Sequence, residues 1–248
     1  MRIGLFADPH ANREALAACL EHASAQSIDR HAFLGDLVGY GADPGWVVDT
    51  VSALVEAGAA VALLGNHDEA VLHGAPRTMH EDARMVVDWT RARLTEAQTA
   101  FLRSLPFSVA EPGYLLVHAN AANPASWEYV RSAEAAARSL AATDRRLVFC
   151  GHLHSQSLYH QGPSGRVEAF APVPGVEIPL GGLRRWLAVL GAVGQPRDGN
   201  PAAFYAVFDT TRSSLTCHRV AYDAATASRK IRDAGLPAWL GLRLEAGG

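Results

Sequence analysis

Short apolar runs alternate with helix-like stretches through the first half of the chain. IGLFA, beginning at Ile3, predicts a first strand. Asn12 then precedes REALAACLEHASAQ, in which Leu16, Leu20 and neighbouring alanines form one apolar face, so a helix capped by Asn12 is expected. HAFLGD predicts a second strand. Pro44 opens a helix over GWVVDTVSALVEAG that Gly58 stops, and AAVALLG predicts a third strand. This βαβαβ rhythm implies parallel strands with helices on their faces. A helical region follows from about Glu81 to Leu105, its second part opening at Thr95 and ending before Pro106. YLLVHA and RLVFCGH predict two further strands around the Ala-rich helix SAEAAARSLAA. After Gly151, glycine, proline and β-formers dominate. RVEAFAPV is one such run, and FYAVFDTT and SLTCHRVAY predict an antiparallel hairpin about Arg212 and Ser213. AATASRKIRDAG predicts a closing helix. The whole predicts a layered α/β fold with a mixed or two-sheet core, as one domain over 1–248 with a helical insertion at about 70–106.

The polar residues just past the strands change the picture. The first strand runs into Asp8, His10 and Asn12, the second into Asp36, the third into Asn66, His67 and Asp68. The next two run into His118 and into His152 and His154. In open α/β sheets ligands bind at that end. Imidazole and carboxylate are ligands of divalent ions such as Mn, Fe, Zn and Ni. Asp8, His10, Asp36, Asn66, His118, His152 and His154 are too many for one tetrahedral ion and suit two, with one carboxylate shared. Asp36, alone between richer motifs, fits the shared position. Two such ions roughly 3.5–4 Å apart can clamp both oxygens of a phosphoryl transfer. Gly35, Gly65 and Gly151 each precede a ligand candidate, where a missing Cβ permits close approach. His10 is expected on the strand face of Asp8, and His154 on that of His152, because side chains alternate along a strand. Each residue also has a plainer reading. Gly-Asp at 35–36 is ordinary turn chemistry, and a lone strand-end histidine such as His118 is usually structural. Asn12 is first a helix cap, although a helix N-terminus can also hold a phosphate. Tyr40 reads equally as pocket wall or packing, Trp89 and Phe101 as core, and Cys150 as a buried strand residue.

Composition narrows the class. The chain has 248 residues, 22 basic and 25 acidic, for a net charge of −3. That balance gives no footprint for nucleic acid or for an anionic membrane. Its three cysteines, Cys19, Cys150 and Cys217, are scattered and match no disulfide or CxxC pattern, which predicts a reducing compartment. The first apolar run is too short for a secretion signal, and no stretch approaches the ~18 apolar residues of a membrane span. A cytoplasmic protein is expected.

DPH at 8–10, GDLVGYG at 35–41, GNHD at 65–68, VHA at 117–119 and GHLH at 151–154 resemble, in order, the five motifs of the calcineurin-like metallophosphoesterases. The motifs span about 150 residues, and GAVGQPRDGNP at 191–201 resembles a segment of a bacterial branch of that family. The resemblance implies a four-layer α/β/β/α sandwich with a dinuclear site at the sheet edge. It implies that Asp8, His10 and His154 hold one ion, that Asn66, His118 and His152 hold the other, and that Asp36 bridges. It further implies that His67 faces the substrate as general acid or transition-state stabiliser, with Asp68 orienting it by a hydrogen bond. In the branch, the chain returns to the site near 191–201, so Arg197 is a candidate phosphate clamp. The first motif departs from the common SDxHGN: Ala7 and Ala11 keep small side chains, while Pro9 removes a backbone donor. The implied reaction is attack of a metal-generated hydroxide on a small phosphate ester. Phosphodiesters or dinucleoside polyphosphates are the alternative substrates, and a non-catalytic scaffold is the remaining alternative.

Overall fold

The computed structural model describes residues 1–76 and 79–248. Parity along its strands sorts the side chains into layers. In β1 (Arg2–Phe6), Ile3 and Leu5 enter the core between two sheets, whereas Phe6 joins the core beneath the first helices. That is the period-2 rule of a strand covered on both faces. The same sorting holds in β2 (Arg30–Phe33), where Ala32 points to the inter-sheet core and Phe33 to the helices.

Two more strands of the first half, β3 (Ala60–Ala62) and β4 (Ser108–Glu111), enter different sheets. The remaining strands are β5 (Tyr114–Val117), β6 (Leu147–Cys150), β7 (Ser157–Gln161), β8 (Val167–Phe170), β9 (Glu177–Pro179), β10 (Arg185–Val189), β11 (Ala203–Asp209) and β12 (Ser214–Val220). One six-stranded sheet has the order β3-β2-β1-β11-β12-β9, the other β4-β5-β6-β10-β7-β8. β1, β2 and β3 are mutually parallel, as are β5, β6 and β10. β11 and β12 form the expected hairpin, with Asp209 opposite Ser214 across the turn.

Helices cover both outer faces. Against the first sheet lie α1 (Arg13–Ser24) and α2 (Pro44–Glu56), through Leu16, Cys19, Val47, Val48 and Val51. Between β3 and β4 come α3 (Asn66–His73), α4 (Glu81–Arg91) and α5 (Glu96–Ser104), the last opened by a Thr95–Gln98 capping box. Against the second sheet lies α6 (Ala133–Ala141), through Ala136 and Leu140. The result is the α/β/β/α sandwich. Trp89 and Phe101 are only partly buried, at core edges, while Cys150 is buried in β6. After the expected helix α7 (Ala224–Asp233) the chain forms one more, α8 (Ala238–Ala246), which the sequence reading missed. α7 and α8 pack Ala227, Ile231, Leu240 and Leu244 against Val86 of α4. β10 was also missed: RWLAV is buried on both faces and shows no alternation. Among the described residues no helix is long and apolar enough to cross a membrane.

The layers meet where the site forms. The carboxyl ends of β1, β2 and β3 carry the first three motifs, those of β5 and β6 the last two. A parallel bridge between Ala7 and Ala192 joins the segments after β1 and β10. Both sheets therefore deliver their polar loops to one edge.

Candidate metal centre

β1 ends at Phe6 and β6 at Cys150, so a pleated strand does not place the histidines that follow. The expectation that His10 shares a strand face with Asp8, and His154 with His152, is corrected here. Asp8 (φ 54°), His10 (46°), Asp36 (53°), His152 (67°) and His154 (63°) all occupy the left-handed region. For residues with a Cβ such backbone costs about 1–3 kcal/mol each and persists only where surroundings enforce it. Here a hydrogen-bonded seam enforces it. Asp8 N–H donates to Gly35 O (3.2 Å), His10 N–H to Asp36 O (2.9 Å) and Ala11 N–H to Leu37 O (2.9 Å). The His67 N–H donates to Asp36 Oδ1 (2.8 Å) and the His152 N–H to Asp8 Oδ2 (2.9 Å). All three of the predicted glycines are sterically required, Gly35 because a Cβ would lie 2.7 Å from His118 Nδ1. A Cβ on Gly65 would collide with the Asp36 backbone nitrogen and carboxylate, and one on Gly151 would lie 2.6 Å from Asp8 Oδ2.

The loops bring the seven ligand candidates together as two groups about one carboxylate. Asp8, His10, Asp36 and His154 present ligand atoms within 4.8 Å of one another, and so do Asp36, His118 and His152. Asp36 Oδ2 stands 3.6 Å from His10 Nε2 and 3.5 Å from His118 Nε2. His154 Nε2 is 3.5 Å from Asp8 Oδ1, and Asn66 Oδ1 is 3.2 Å from His118 Nε2.

The donor set fits cations for a reason visible in the tautomers. His10 Nδ1 faces Val38 O at 3.0 Å and His154 Nδ1 faces Gln195 O at 2.7 Å, so both Nδ1 atoms carry the proton as donors. Their Nε2 lone pairs then face each other at 3.0 Å. His118 Nδ1 likewise donates to Leu34 O (2.6 Å) and His152 Nε2 to Trp127 O (2.9 Å), which leaves His118 Nε2 and His152 Nδ1 bare and 3.1 Å apart. Asp8 Oδ1 is buried with no hydrogen-bond partner. Lone pairs facing lone pairs inside a protein are stable only around a positive charge. The acid–base state shows the same demand. Burial raises Asp8 to about 7, with Asp36 adding to the rise. Burial also works against charge on Asp36, yet His118, His67 and His10 hold its carboxyl well below the usual range. Burial opposes protonation of His118, but Asp36 and Asp8 drive it up to about 9, so that without a cation a proton takes the place on Nε2.

His67, the second residue of α3, is buried. Its ring lies 5.0 Å from that of His10 and 4.4 Å from that of Tyr40. Burial lowers its pKa, Asp36 opposing. Asp68 does not orient it, contrary to expectation. The Asp68 carboxylate accepts from the Gly65 N–H (2.9 Å) and the Val38 N–H (3.1 Å), and His67 Nδ1 has no partner. The reason is position: as the third residue of α3, Asp68 points back at the helix's own first N–H groups and closes a capping interaction. Asn12 caps a helix, as first expected of it. Its Oδ1 caps α1 at Ala15 N (3.1 Å) and its Nδ2 donates to Gly194 O (2.8 Å) and Tyr222 Oη (3.3 Å), so its amide is fully engaged. Arg197 lies at the mouth of the site, with its guanidinium on Gln195 Oε1 and 5.6 Å from the Tyr40 ring. Tyr40 serves both readings, facing His10 and His67 while packing against the α7–α8 core.

Two aromatic residues in the loop after β5 were missed. Trp127 (φ 57°) donates from Nε1 to Glu69 Oε2 at 2.7 Å, and the Tyr129 ring stacks on His152 at 4.1 Å and 11°. With Asn66, His73 and Met79 they line a cleft of about 690 Å³ that opens from the His152 side of the centre. The only signal was the pair of aromatics in WEY, directly downstream of the VHAN motif.

This geometry has counterparts. The chain matches the calcineurin-like phosphoesterase superfamily domain over residues 1–213. It is 31% identical over 258 residues to the uncharacterized protein MJ0912 of Methanocaldococcus jannaschii, covering 99% of this chain and 98% of that one. The crystal structure of a metallophosphoesterase from Sphaerobacter thermophilus is similar at TM-score 0.86 and 35% identity, over 100% of both chains. The hypothetical protein PH1004 of Pyrococcus horikoshii OT3 shares the fold at TM-score 0.81 and 17% identity, over 100% of this chain and 98% of that one. The chain belongs to the calcineurin-like phosphoesterase superfamily and is a metallophosphoesterase, a phosphoric ester hydrolase.

Proposed function

We propose that one domain spanning residues 1–248 hydrolyses small phosphate esters at a pair of divalent cations. The observation that carries this reading is the position of Asp36 Oδ2, within 3.6 Å of one histidine from each group. Asp8, His10, His154 and Asp36 would hold one cation, and Asp36, Asn66, His118 and His152 the other. Mn, Fe, Zn and Ni all suit such imidazole and carboxylate donors. When bound, the pair supplies Lewis acidity toward phosphoryl oxygens and lowers the pKa of water so that it attacks near neutral pH.

The chain's own residues do the rest. The seam between the 8–11 and 35–37 loops fixes the ligands before substrate arrives, so little reorganisation is left for the reaction. His67 stabilises the phosphoryl oxygens or protonates the leaving oxygen. Its Nδ1 is sealed inside the protein, so the proton or hydrogen bond is delivered from Nε2. Arg197 holds a phosphoryl oxygen at the mouth. The organic part of the substrate lies in the cleft beside Trp127 and Tyr129. That cleft, at about 690 Å³, also favours a second reading in which a phosphodiester or a dinucleoside polyphosphate is the substrate.

The test pairs metal analysis of protein purified without chelator with a substrate panel. The panel is p-nitrophenyl phosphate, bis-p-nitrophenyl phosphate and dinucleoside polyphosphates, each with added Mn. Two metal equivalents and turnover of the monoester are expected. Turnover of the diester alone would favour the second reading, and metal-replete protein inert on the whole panel would leave only a scaffold.

A further inference from the structure

Tyr40 connects the centre to a part of the chain beyond the matched 1–213 stretch. It faces His10 and His67, and it also packs on the core of α7, α8 and α4. The end of α8 is tied to the segment that bears Arg197. The Gly199 N–H donates to Gly247 O at 2.9 Å, and a Cβ on Gly248 would lie 3.3 Å from Arg197 Cα. Arg243 stands one turn earlier on α8, between the buried Leu240 and Leu244, with its guanidinium 4.7 Å from the Trp239 ring.

Most basic side chains near this corner are neutralised. Arg219 pairs with Asp198, Lys230 with Glu14 and Asp43, and Arg232 with Glu245. Arg197 and Arg243 form no ion pair among the described residues, and the Arg197 side chain bonds only the neutral Gln195. Arg243 lies within electrostatic reach of both neighbours: after burial, the charge of Arg197 is the largest influence lowering its pKa, and Tyr40 acts in the opposite direction. Cations within reach of each other and without a direct ion pair repel, and an anion bound between them offsets that repulsion.

We infer that Arg243, Arg197 and Tyr40 form an anion subsite at the mouth of the centre, which receives a second phosphoryl group of the substrate. The inference rests on the phosphoester reading above and deepens it, because the preferred substrate then carries two or more linked phosphoryl groups. α8 is part of the substrate site, with Arg243 as a specificity-determining residue.

The test measures binding without turnover. The full chain, dialysed against chelator so that neither anion binds through a metal, is titrated by calorimetry with orthophosphate and with tripolyphosphate at fixed ionic strength. The expected parent binds tripolyphosphate at least tenfold more tightly, and R243Q brings that ratio below threefold while R243K keeps part of it. An unchanged ratio in R243Q overturns the inference. A second reading needs no substitution at Arg243: tripolyphosphate should change the emission of Trp239, identified as the difference between the parent and W239F. No such change overturns the inference even if R243Q does not fold. A protein inert on the ester panel that still shows the Arg243-dependent preference would sink the hydrolytic reading alone.

Discussion

The two halves of the centre use similar donors in different surroundings. Asp8, His10 and His154 are buried to 2% exposure or less and lie under Tyr40, near Arg197. Asn66 and His152 line the open aromatic cleft, although His118 behind them is fully buried. The orienting partners differ as well. His10 and His154 donate to the carbonyls of Val38 and Gln195, inside tightly packed loops. His152 donates to the carbonyl of Trp127, which belongs to the cleft wall itself. The first half is thus positioned by the scaffold, whereas in the second His152 is positioned by a loop that also lines the cleft. Changes in the cleft should reach the second half and leave the first untouched.

The largest effect should come from the residue common to both halves. Asp36→Asn is expected to reduce bound metal below two equivalents and to cut kcat by on the order of 10³-fold or more, read by elemental analysis and p-nitrophenyl phosphate turnover. Loss confined to one equivalent with near-normal turnover would break the picture of a shared ligand. His67→Ala should lower kcat by about 10²–10⁴-fold while metal content stays near that of the parent. Parallel loss of metal and turnover would instead make His67 part of the metal shell.

Asp68→Asn separates structure from catalysis. It weakens the buried acceptor of the Gly65 and Val38 N–H groups, a carboxyl that burial raises to about 7, so unfolding should be easier by about 0.5–1.5 kcal/mol, measured by denaturant titration. Its effect on kcat should be far smaller than that of His67→Ala. A kinetic loss at unchanged stability would restore the orienting role. Trp127→Phe removes the bond to Glu69 and part of the ring that packs beside His118. A rise in KM of about tenfold or less for substrates that fill the cleft, with unchanged kcat for a small ester, is expected from one hydrogen bond. Asn12→Ala should lower stability by roughly 1 kcal/mol as a lost cap and leave KM alone. A raised KM would return Asn12 to the substrate site.

The sequence disclosed the ligand chemistry more fully than the backbone that presents it. Asp8, His10, Asp36, Asn66, His118, His152 and His154 could be picked out because strand ends bearing dense polar motifs have few structural uses. The left-handed turns at Asp8, His10, Asp36, His152 and His154 were illegible, since nothing local marks a histidine or aspartate as left-handed. Their conformation is held by bonds between segments distant in sequence, such as those joining the 8–11 and 35–37 loops and that of the His152 N–H to Asp8. Asp68 was misjudged because a helix's third residue has a competing local partner, its own N-terminus. Trp127, Tyr129 and Arg243 lie in a loop and a terminal helix, where neither periodicity nor a motif singles them out. In the fold, the strongly periodic elements were evident, while β10 and the weakly patterned β4 and β9 depend on tertiary pairing.

The left-handed turns also set chemistry against durability. Asp8, His10, His152 and His154 hold conformations that glycine adopts freely, and their side chains crowd lone pair against lone pair. A descendant released from selection for turnover would gain robustness by losing these residues first, and its outward architecture would survive the change. An inert relative should therefore be recognisable by relaxed turns at these positions, and it should outlast its active ancestor on heating.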